Sequence, residues 1–385
     1  ARSAAAPLLS AIGLGALIAP MNGSVGASVA TLSRVVQPRL EARGVAPPQS
    51  LATICVASTL GVVVPPSLVL ILLGDTMLRA HTEAVNASGI MARVINTEDV
   101  FLGALPPAAM FLALSLALAW WQGRRGRPAA PLAIPRDGLG LSGWATAIAT
   151  LGLIGGLLAA VTAGYLYAVE GAAAGAVALF AFGLATRTLT REAAGAVLRD
   201  TMAVTGALFA LFVAATTFTL VFRAFGTDQR LAALMIGLPG GETAAAVSVL
   251  VILGLCALVL DAFEIILVIV PLVMPPLLLR VPDAVWMSVL ALLALQTSFL
   301  LPPFGYAVMM ARTAMARPPA LGASMRALAP FLGLQLVVLA LTLLFPALTH
   351  LAQPAPVTAG KAPLSDDEAR QKLDRLILPP VDADQ

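Results

Sequence analysis

Long apolar runs alternate with short polar connections along most of this chain. Five of the clearest runs cover residues 103–121, 143–163, 201–222, 243–260 and 331–349. A helix of about 20 residues crosses a bilayer core of about 30 Å, so each run is long enough to span a membrane. With the shorter apolar runs counted as half-spans, the pattern predicts roughly nine to eleven segments. The expected fold is therefore an all-α membrane protein, a polytopic helical bundle.

The composition agrees with lipid as the main solvent of this surface. Hydrophobic residues make up 59% of the chain and charged residues 11%, whereas soluble domains carry about 25% charged residues. The net charge of +3 is spread over short loops, so nucleic-acid binding has no support. Cys55 and Cys256 lie inside apolar runs without metal or redox spacing, and we interpret both as helix-packing residues.

The distribution of arginine predicts the orientation. The loop between Trp121 and Trp144 has four arginines and one acid, a bias that is typical of cytoplasmic loops. Alternation places the second basic loop, around residues 187–199, on the same side. The turn at Glu170 and the polar stretch 75–99 then face outward, the latter as a periplasmic insertion.

Two similar breaks interrupt apolar surroundings, one in each half of the chain: Val-Val-Val-Pro-Pro-Ser at 62–67 and Leu-Leu-Pro-Pro-Phe-Gly at 300–305. Each follows another interrupted apolar segment, at 19–33 and at 260–279. A hairpin followed by a proline-broken helix, present twice, is typical of transporters built from inverted repeats. We therefore expect two inverted repeats, each with a re-entrant helical hairpin and a broken helix.

This organisation divides the chain into five regions. Residues 1–122 form a first-repeat transport region that includes the insertion at 75–99, and residues 123–142 form a cytoplasmic basic loop. Residues 143–230 supply scaffold and linking helices. Residues 231–350 form the second-repeat transport region, and residues 351–385 are a polar C-terminal tail.

The breaks are candidate sites for chemistry because proline removes backbone donors. A Pro-Pro pair in mid-helix leaves carbonyls without partners at membrane depth, at a cost of several kcal/mol each. A sodium ion coordinated by carbonyls and hydroxyls would satisfy them. Such oxygens flank both breaks, at Ser58, Thr59, Gly61 and Ser67 and at Gln296, Thr297 and Ser298. One isolated Pro-Pro pair would indicate only a kink or a helix end, but its repetition favours a functional site.

Some polar residues leave more than one interpretation open. Asp261 and Glu264 stand between apolar stretches, where they either mark a helix end near the interface or cap and line the second hairpin. Glu170 marks a turn, with close helix packing expected at the glycines beyond it. His81 and His350 are interpreted as surface residues.

Four segments together resemble a known family. They are Asn22-Gly23-Ser24 through Thr31; Ser58 through Ser67, which reads Ser-Thr-Leu-Gly-Val-Val-Val-Pro-Pro-Ser; Leu260-Asp261 through Pro275; and Leu301-Pro302-Pro303-Phe304-Gly305. In order and spacing they resemble the two hairpins, the Gly-Thr-Leu-Gly-Ile-Leu-Ile-Pro-Pro-Ser motif and the Thr-Pro-Pro-Val-Gly motif of the large membrane subunit of tripartite ATP-independent periplasmic (TRAP) transporters, the DctM-type permease.

The resemblance implies sodium-driven uptake of an organic acid, often a carboxylate, across the bacterial inner membrane. It also implies an elevator-type fold, in which a transport domain carries the two hairpins. It implies a DctQ-type small membrane subunit and a DctP-type periplasmic binding protein as partners, and no cofactor besides sodium as the coupling ion. The implied sodium- and substrate-binding residues are Asn22, Gly23, Ser24, Ser28, Thr59, Gly61, Pro65, Pro66, Ser67, Asp261, Glu264, Thr297, Ser298, Pro302, Pro303 and Gly305. Sodium itself is expected at Ser24, Thr59, Gly61, Thr297 and Ser298.

The sequence also departs from the family. Leu301 replaces the usual Thr before the second Pro-Pro pair, which removes a hydroxyl from the second cation site. Tyr-Ala-Val-Glu-Gly at 167–171 stands where Phe-Thr-Pro-Thr-Glu-Ala is common, and the stretch 75–99 resembles the branch labelled for mannitol or chloroaromatic compounds. Because the chain starts near the first hairpin, we expect the family's leading scaffold helices to be missing from it.

Two other functions remain to be compared with this one. An ion-coupled organic-anion carrier with similar repeats would work without a binding protein. A non-transporting membrane scaffold would have no reason to keep two broken polar sites in lipid. An enzyme is not expected, because the apolar segments contain no pair of catalytic carboxylates, no Ser-His arrangement and no metal-ligand cluster.

Overall fold

A computed structural model of the chain describes residues 5–20, 24–64, 67–88, 95–125, 140–162, 165–227, 230, 231, 233, 237, 241–301, 305–315 and 317–353. Helices dominate these residues and no strand occurs among them, which confirms the all-α fold. The predicted C-terminal tail lies almost entirely outside the described residues.

The first half contains α1 (Ala5–Ile18), α2 (Val25–Val35), α3 (Gln37–Ala42), α4 (Pro47–Val63), α5 (Leu68–Ser88) and α6 (Thr97–Arg125). Three long helices follow: α7 (Leu141–Thr162), α8 (Ala168–Ala185) and α9 (Arg191–Ala224). The last part contains α10 (Glu242–Cys256), α11 (Ala262–Glu264), a π-helical turn (Ile265–Ile269), α12 (Val270–Leu278), α13 (Ala284–Ser298), α14 (Tyr306–Ala314), α15 (Leu321–Leu344) and a 3₁₀ turn (Pro346–His350).

Both predicted breaks are ends of helices. Helix α4 ends at Val63 and α5 begins at Leu68, so the first Pro-Pro pair falls between them. Helix α13 ends at Ser298 and α14 begins at Tyr306, with the second Pro-Pro pair between these two. The prolines themselves lie outside the described residues.

The first hairpin consists of α1 and α2. Its second arm begins at Ser24, whose side chain accepts a hydrogen bond from the Ala27 N–H at 3.4 Å and so caps α2. The Ser28 hydroxyl donates to the Ser24 carbonyl at 2.9 Å and lies 3.4 Å from the Ala19 carbonyl. These contacts close the two arms on each other around the tip.

The second hairpin differs from the sequence prediction. The run 243–260, expected as one span, is only the first arm: α10 ends at Cys256, and α11 begins after Asp261. Prolines were also expected to interrupt the segment 260–279, but no helix ends at them. Helix α12 runs through Pro275 and Pro276, and the irregularity is the π-helical turn before it, in which the Val270 N–H bonds to the Ile265 carbonyl.

Helices α4 and α13 form the centre of the bundle. Every residue of α13 from Ala284 to Thr297 is buried, and so are most residues of α4, as expected for helices that are apolar all round. Trp286 ties α13 to α15 by donating its indole N–H to the Thr342 carbonyl at 2.8 Å.

The two halves pack on each other in a reciprocal way. The second arm of the first hairpin, α2, packs against α14, the half-helix after the second break. The second arm of the second hairpin, α12, packs against α5, the half-helix after the first break. Likewise, each first arm packs on the half-helix before the break in its own half, α1 on α4 and α10 on α13. This exchange is the packing that two inverted repeats would produce.

One end of the bundle gathers the basic connections. Gln49 at the start of α4 donates to Gln122 at the end of α6 at 3.2 Å, and Gly123 lies directly against Ala5. The loops at this end carry a surplus of arginine, namely Arg34, Arg39, Arg43, Arg124, Arg187 and Arg191, against Glu41 and Glu192.

The opposite end gathers the acidic connections. Asp283 before α13 pairs with His350 at 2.8 Å, and Gly103 near the start of α6 lies against Val285. A cleft at this end is lined by Thr97, Glu98, Tyr167 and Glu170, so the α7–α8 turn and the start of α6 lie on one side, as alternation predicted. Which side is cytoplasmic stays a prediction, and the arginine surplus favours the first end.

The polar stretch 75–99 is mostly helical, because α5 continues to Ser88 and α6 begins at Thr97. The prediction that His81 is a surface residue is wrong, because this histidine is only 7% exposed. Its Nδ1 accepts a hydrogen bond from the Ile95 N–H at 3.2 Å. The histidine is therefore used inside the protein to close the α5–α6 connection.

Helices α7, α8 and α9 stand apart from this packed body. In the most apolar stretch of α9 only 6% of the residues are buried, whereas 69% are buried in the most apolar stretch of Pro47–Ser88. Close packing beyond Glu170 is confirmed, because Gly171 and Gly175 lie against Val161 and Leu157 of α7. Apolar surfaces exposed to this degree require lipid or a partner helix.

Replacing Gly15 by valine should destabilise the fold. A Cβ at Gly15 would stand 2.5 Å from the Ala57 Cβ and 2.7 Å from its carbonyl oxygen, so α1 and α4 would have to separate. We expect a loss of about 1–3 kcal/mol, seen as a lower melting temperature of the purified protein. Gly13→Val is the matched control, since nothing lies within 4 Å of a Cβ there; equal melting temperatures of the two variants would refute this packing.

The orientation is testable by cysteine labelling in a Cys55→Ala, Cys256→Ala background. Tyr167 and Thr188 are exposed at opposite ends of α8. In intact cells a membrane-impermeant maleimide should label the Tyr167→Cys variant and leave Thr188→Cys unlabelled until the membrane is opened. The reverse result would invert the predicted orientation.

Candidate functional site

The tip of the first hairpin lies against the end of α4. A Cβ at Gly61 would stand 2.5 Å from the Ala19 carbonyl oxygen, so only glycine permits this approach. Gly61 is therefore required by the contact between hairpin and broken helix, which is a more specific role than the sequence alone indicated.

Uncompensated oxygens surround the first break. The Ser58 and Ser67 hydroxyls are buried and have no hydrogen-bond partner, and the Thr59 hydroxyl donates to the Val56 carbonyl at 3.0 Å. The carbonyls of Gly61 and Val62 cannot receive helical bonds, because residues 65 and 66 are prolines. Two orphaned hydroxyls and two carbonyls without α-helical partners therefore flank this break along the chain. Neutral oxygens of this kind suit a hard monovalent cation.

The second break satisfies more of its own groups. The Ala307 N–H returns to the Phe299 carbonyl at 3.1 Å, and the Leu301 N–H bonds to the Ser298 carbonyl at 3.2 Å. The Thr297 and Ser298 hydroxyls donate to carbonyls of their own helix, at 2.8 and 2.6 Å. This break therefore offers fewer unsatisfied oxygens than the first. Leu301 acts in the same direction, because it stands where the family usually has a threonine hydroxyl.

Asp261 lies at the tip of the second hairpin and forms a capping box with Glu264. The Glu264 carboxylate accepts from the Asp261 N–H at 3.1 Å, while the Asp261 side chain faces the first N–H groups of α11. Of the two interpretations of these acids, capping of the second hairpin agrees with the structure. Helix α11 also contacts α5, so this tip lies next to the half-helix that follows the first break.

Tyr306 connects the first hairpin with the second break and was missed by the sequence reasoning. It is the first residue of α14, directly after the second break, and its hydroxyl lies over Gly26, where a Cβ would stand 2.5 Å from it. The sequence did contain a signal for this residue, an aromatic side chain directly after Pro-Pro-Phe-Gly. It was not selected because a phenol differs in chemistry from the cation ligands that were sought.

The structure brings some of the predicted residues together. Ser24, Ser28 and Gly61 meet at the first hairpin, Asp261 and Glu264 cap the second, Ser67 lies immediately before α5 and Gly305 immediately before Tyr306. Thr59, Thr297 and Ser298 donate their hydroxyls to carbonyls of their own helices. Six further predicted residues lie outside the described residues, namely Asn22, Gly23, Pro65, Pro66, Pro302 and Pro303. Among those described, no group of three or more His, Cys, Asp or Glu side chains could hold a metal ion.

A separate cleft of about 370 Å³ lies between α5, α9 and α12. Arg223 of α9 pairs with Glu83 of α5 at 2.7 Å and also donates to the Pro271 carbonyl at 3.4 Å. That carbonyl has no helical partner because residue 275 is a proline. One guanidinium therefore joins the peripheral helix α9 to both the second hairpin and the half-helix after the first break.

Comparison with known proteins supports this architecture. The fold resembles the crystal structure of the Alcanivorax borkumensis YdaH transporter, described as having an unusual topology, with a TM-score of 0.54 and 16% sequence identity over 91% of this chain and 87% of that chain. No curated protein matches the sequence. The family of the tripartite ATP-independent periplasmic transporter, DctM component, matches residues 6–348. The chain therefore belongs to the DctM family, the large membrane component of TRAP transporters.

Proposed function

We propose that the chain is the permease subunit of a sodium-coupled TRAP transporter that imports an organic acid across the bacterial inner membrane. A DctP-type periplasmic protein delivers the acid, and a DctQ-type subunit supports the permease. The observation that carries the proposal is that each hairpin contacts residues beside a break: Ala19 lies against Gly61, Gly26 lies against Tyr306, and α11 at the second tip contacts α5. Membership in a tripartite family favours this over a carrier without a binding protein.

The first break is the stronger sodium site. Burying a hydroxyl without a partner costs about 1–3 kcal/mol, and the described part of this break has two such hydroxyls, Ser58 and Ser67. A cation bound there would recover that cost. At the second break, Thr297 and Ser298 would contribute hydroxyl oxygens, but the neighbouring carbonyls already have donors.

An elevator motion fits the division between the packed body and the peripheral helices. The hairpins and broken helices share one core, whereas α7, α8 and α9 are mostly exposed. A body with its own core can move as a unit against a scaffold. Its contacts with α9 include the π-helical turn, the Arg223–Glu83 pair and the hydrogen bond from Arg223 to the Pro271 carbonyl, and these would break and re-form in each cycle.

Ser67→Ala should separate function from stability. Uptake of the acid is measured in proteoliposomes that hold both membrane subunits, with the cognate binding protein and with or without a sodium gradient. The wild type should require the gradient, and Ser67→Ala should need about tenfold more sodium for half-maximal uptake. Its melting temperature should not fall, because the hydroxyl has no partner in the fold.

Ser50→Ala provides the control, since Ser50 is another buried serine without a partner, at the other end of α4. It should leave sodium activation unchanged. Wild-type uptake that does not depend on sodium would contradict the proposed coupling. Equal changes in sodium activation in Ser50→Ala and Ser67→Ala would contradict the proposed cation site.

Cross-linking should test the motion. In a Cys55→Ala, Cys256→Ala background, Glu83→Cys and Arg223→Cys are joined by a short cleavable bis-thiol reagent, which ties α5 to α9. We expect uptake to stop and to return after cleavage. The matched pair Gln49→Cys and Gln122→Cys joins α4 and α6 within the body, at a hydrogen bond of 3.2 Å, and should leave uptake intact. Unimpaired uptake with α5 tied to α9 would refute the elevator motion.

A further inference from the structure

We propose that Tyr306 contacts the transported solute and that its hydroxyl donates a hydrogen bond to an oxygen of the organic acid. This inference rests on the proposed function and adds a specificity residue to it. It starts from the position of the phenol, which directly follows the second break and lies over Gly26 in the second arm of the first hairpin.

The side chain is open to a ligand although its neighbours are not. Tyr306 is 43% exposed, whereas Gly305, Ala307 and Val308 are buried. Its hydroxyl has no hydrogen-bond partner among the described residues. A phenol at this position can therefore donate to an incoming oxygen without giving up a bond in the protein.

The ring is oriented before any ligand arrives. It packs against Phe299 with ring centres 6.2 Å apart and planes tilted by 58°, and the backbone behind it is fixed by the Ala307–Phe299 hydrogen bond. Gly26 leaves the space that the hydroxyl occupies, since a methyl group there would stand 2.5 Å from it. A rigid ring with a free polar end is the usual form of a recognition residue.

Tyr306→Phe keeps the ring and removes only the hydroxyl. The probe is the acid from a panel of lactate, succinate, 2-oxoglutarate and benzoate that the wild type takes up fastest with its binding protein. We expect the KM for this acid to rise about tenfold, with unchanged melting temperature and unchanged sodium dependence at saturating acid. Tyr165→Phe, at a residue 84% exposed in the α7–α8 turn, should behave as the wild type.

Gly26→Ala provides an independent variant. Its methyl group should displace the hydroxyl and raise KM, and Gly26→Ala with Tyr306→Phe should raise KM less than the two single effects combined. An unchanged KM in Tyr306→Phe overturns this inference but not the proposed function. A melting temperature that falls together with uptake also overturns it, because the hydroxyl would then have a structural role. Absence of wild-type uptake for every acid overturns the proposed function and this inference with it.

Discussion

The fold depends on the requirement that backbone polar groups in lipid find partners inside the protein. A continuous helix meets this requirement by itself, and a helix that stops at Val63 or Ser298 does not. At the second break the chain turns back on itself and the Ala307 N–H supplies the missing donor. At the first break no such return occurs within the described residues, and a hairpin tip is pressed against the helix end instead, at a distance that only glycine allows. That contact adds another carbonyl oxygen and no donor, so the carbonyls of Gly61 and Val62 still need a partner from elsewhere.

Much of this architecture could be predicted from residues with strong local rules. Proline pairs located both breaks, and the long apolar runs located α6, α7, α9 and α15, because these signals act over a few residues and need no knowledge of neighbours. The second hairpin was predicted with the wrong bounds for the opposite reason. Its turn, residues 257–260, is made of Ala, Leu, Val and Leu and is closed by backbone bonds alone, so the run 243–260 was interpreted as one span although Asp261 follows directly.

The candidate site was predicted only in part for a related reason. Sequence reasoning selected residues by their own chemistry, hydroxyls and carboxylates near a break, and several of these do gather around the hairpin tips. It could not select Tyr306 or assign Gly26 a purpose, because each acquires its role from the other across 280 residues of sequence. His81 shows the same limit, since a polar neighbourhood in sequence became a buried contact with Ile95 once α5 and α6 came together.

The proline at position 275 ties the second hairpin to a neighbouring helix. Because a proline has no N–H, the Pro271 carbonyl cannot receive the usual α-helical hydrogen bond from residue 275, and Arg223 of α9 donates to it at 3.4 Å instead. In hydrocarbon the alternatives for such a carbonyl are other protein donors or scarce water. A single imino acid therefore makes this arm rely on a side chain of another helix to satisfy its own backbone.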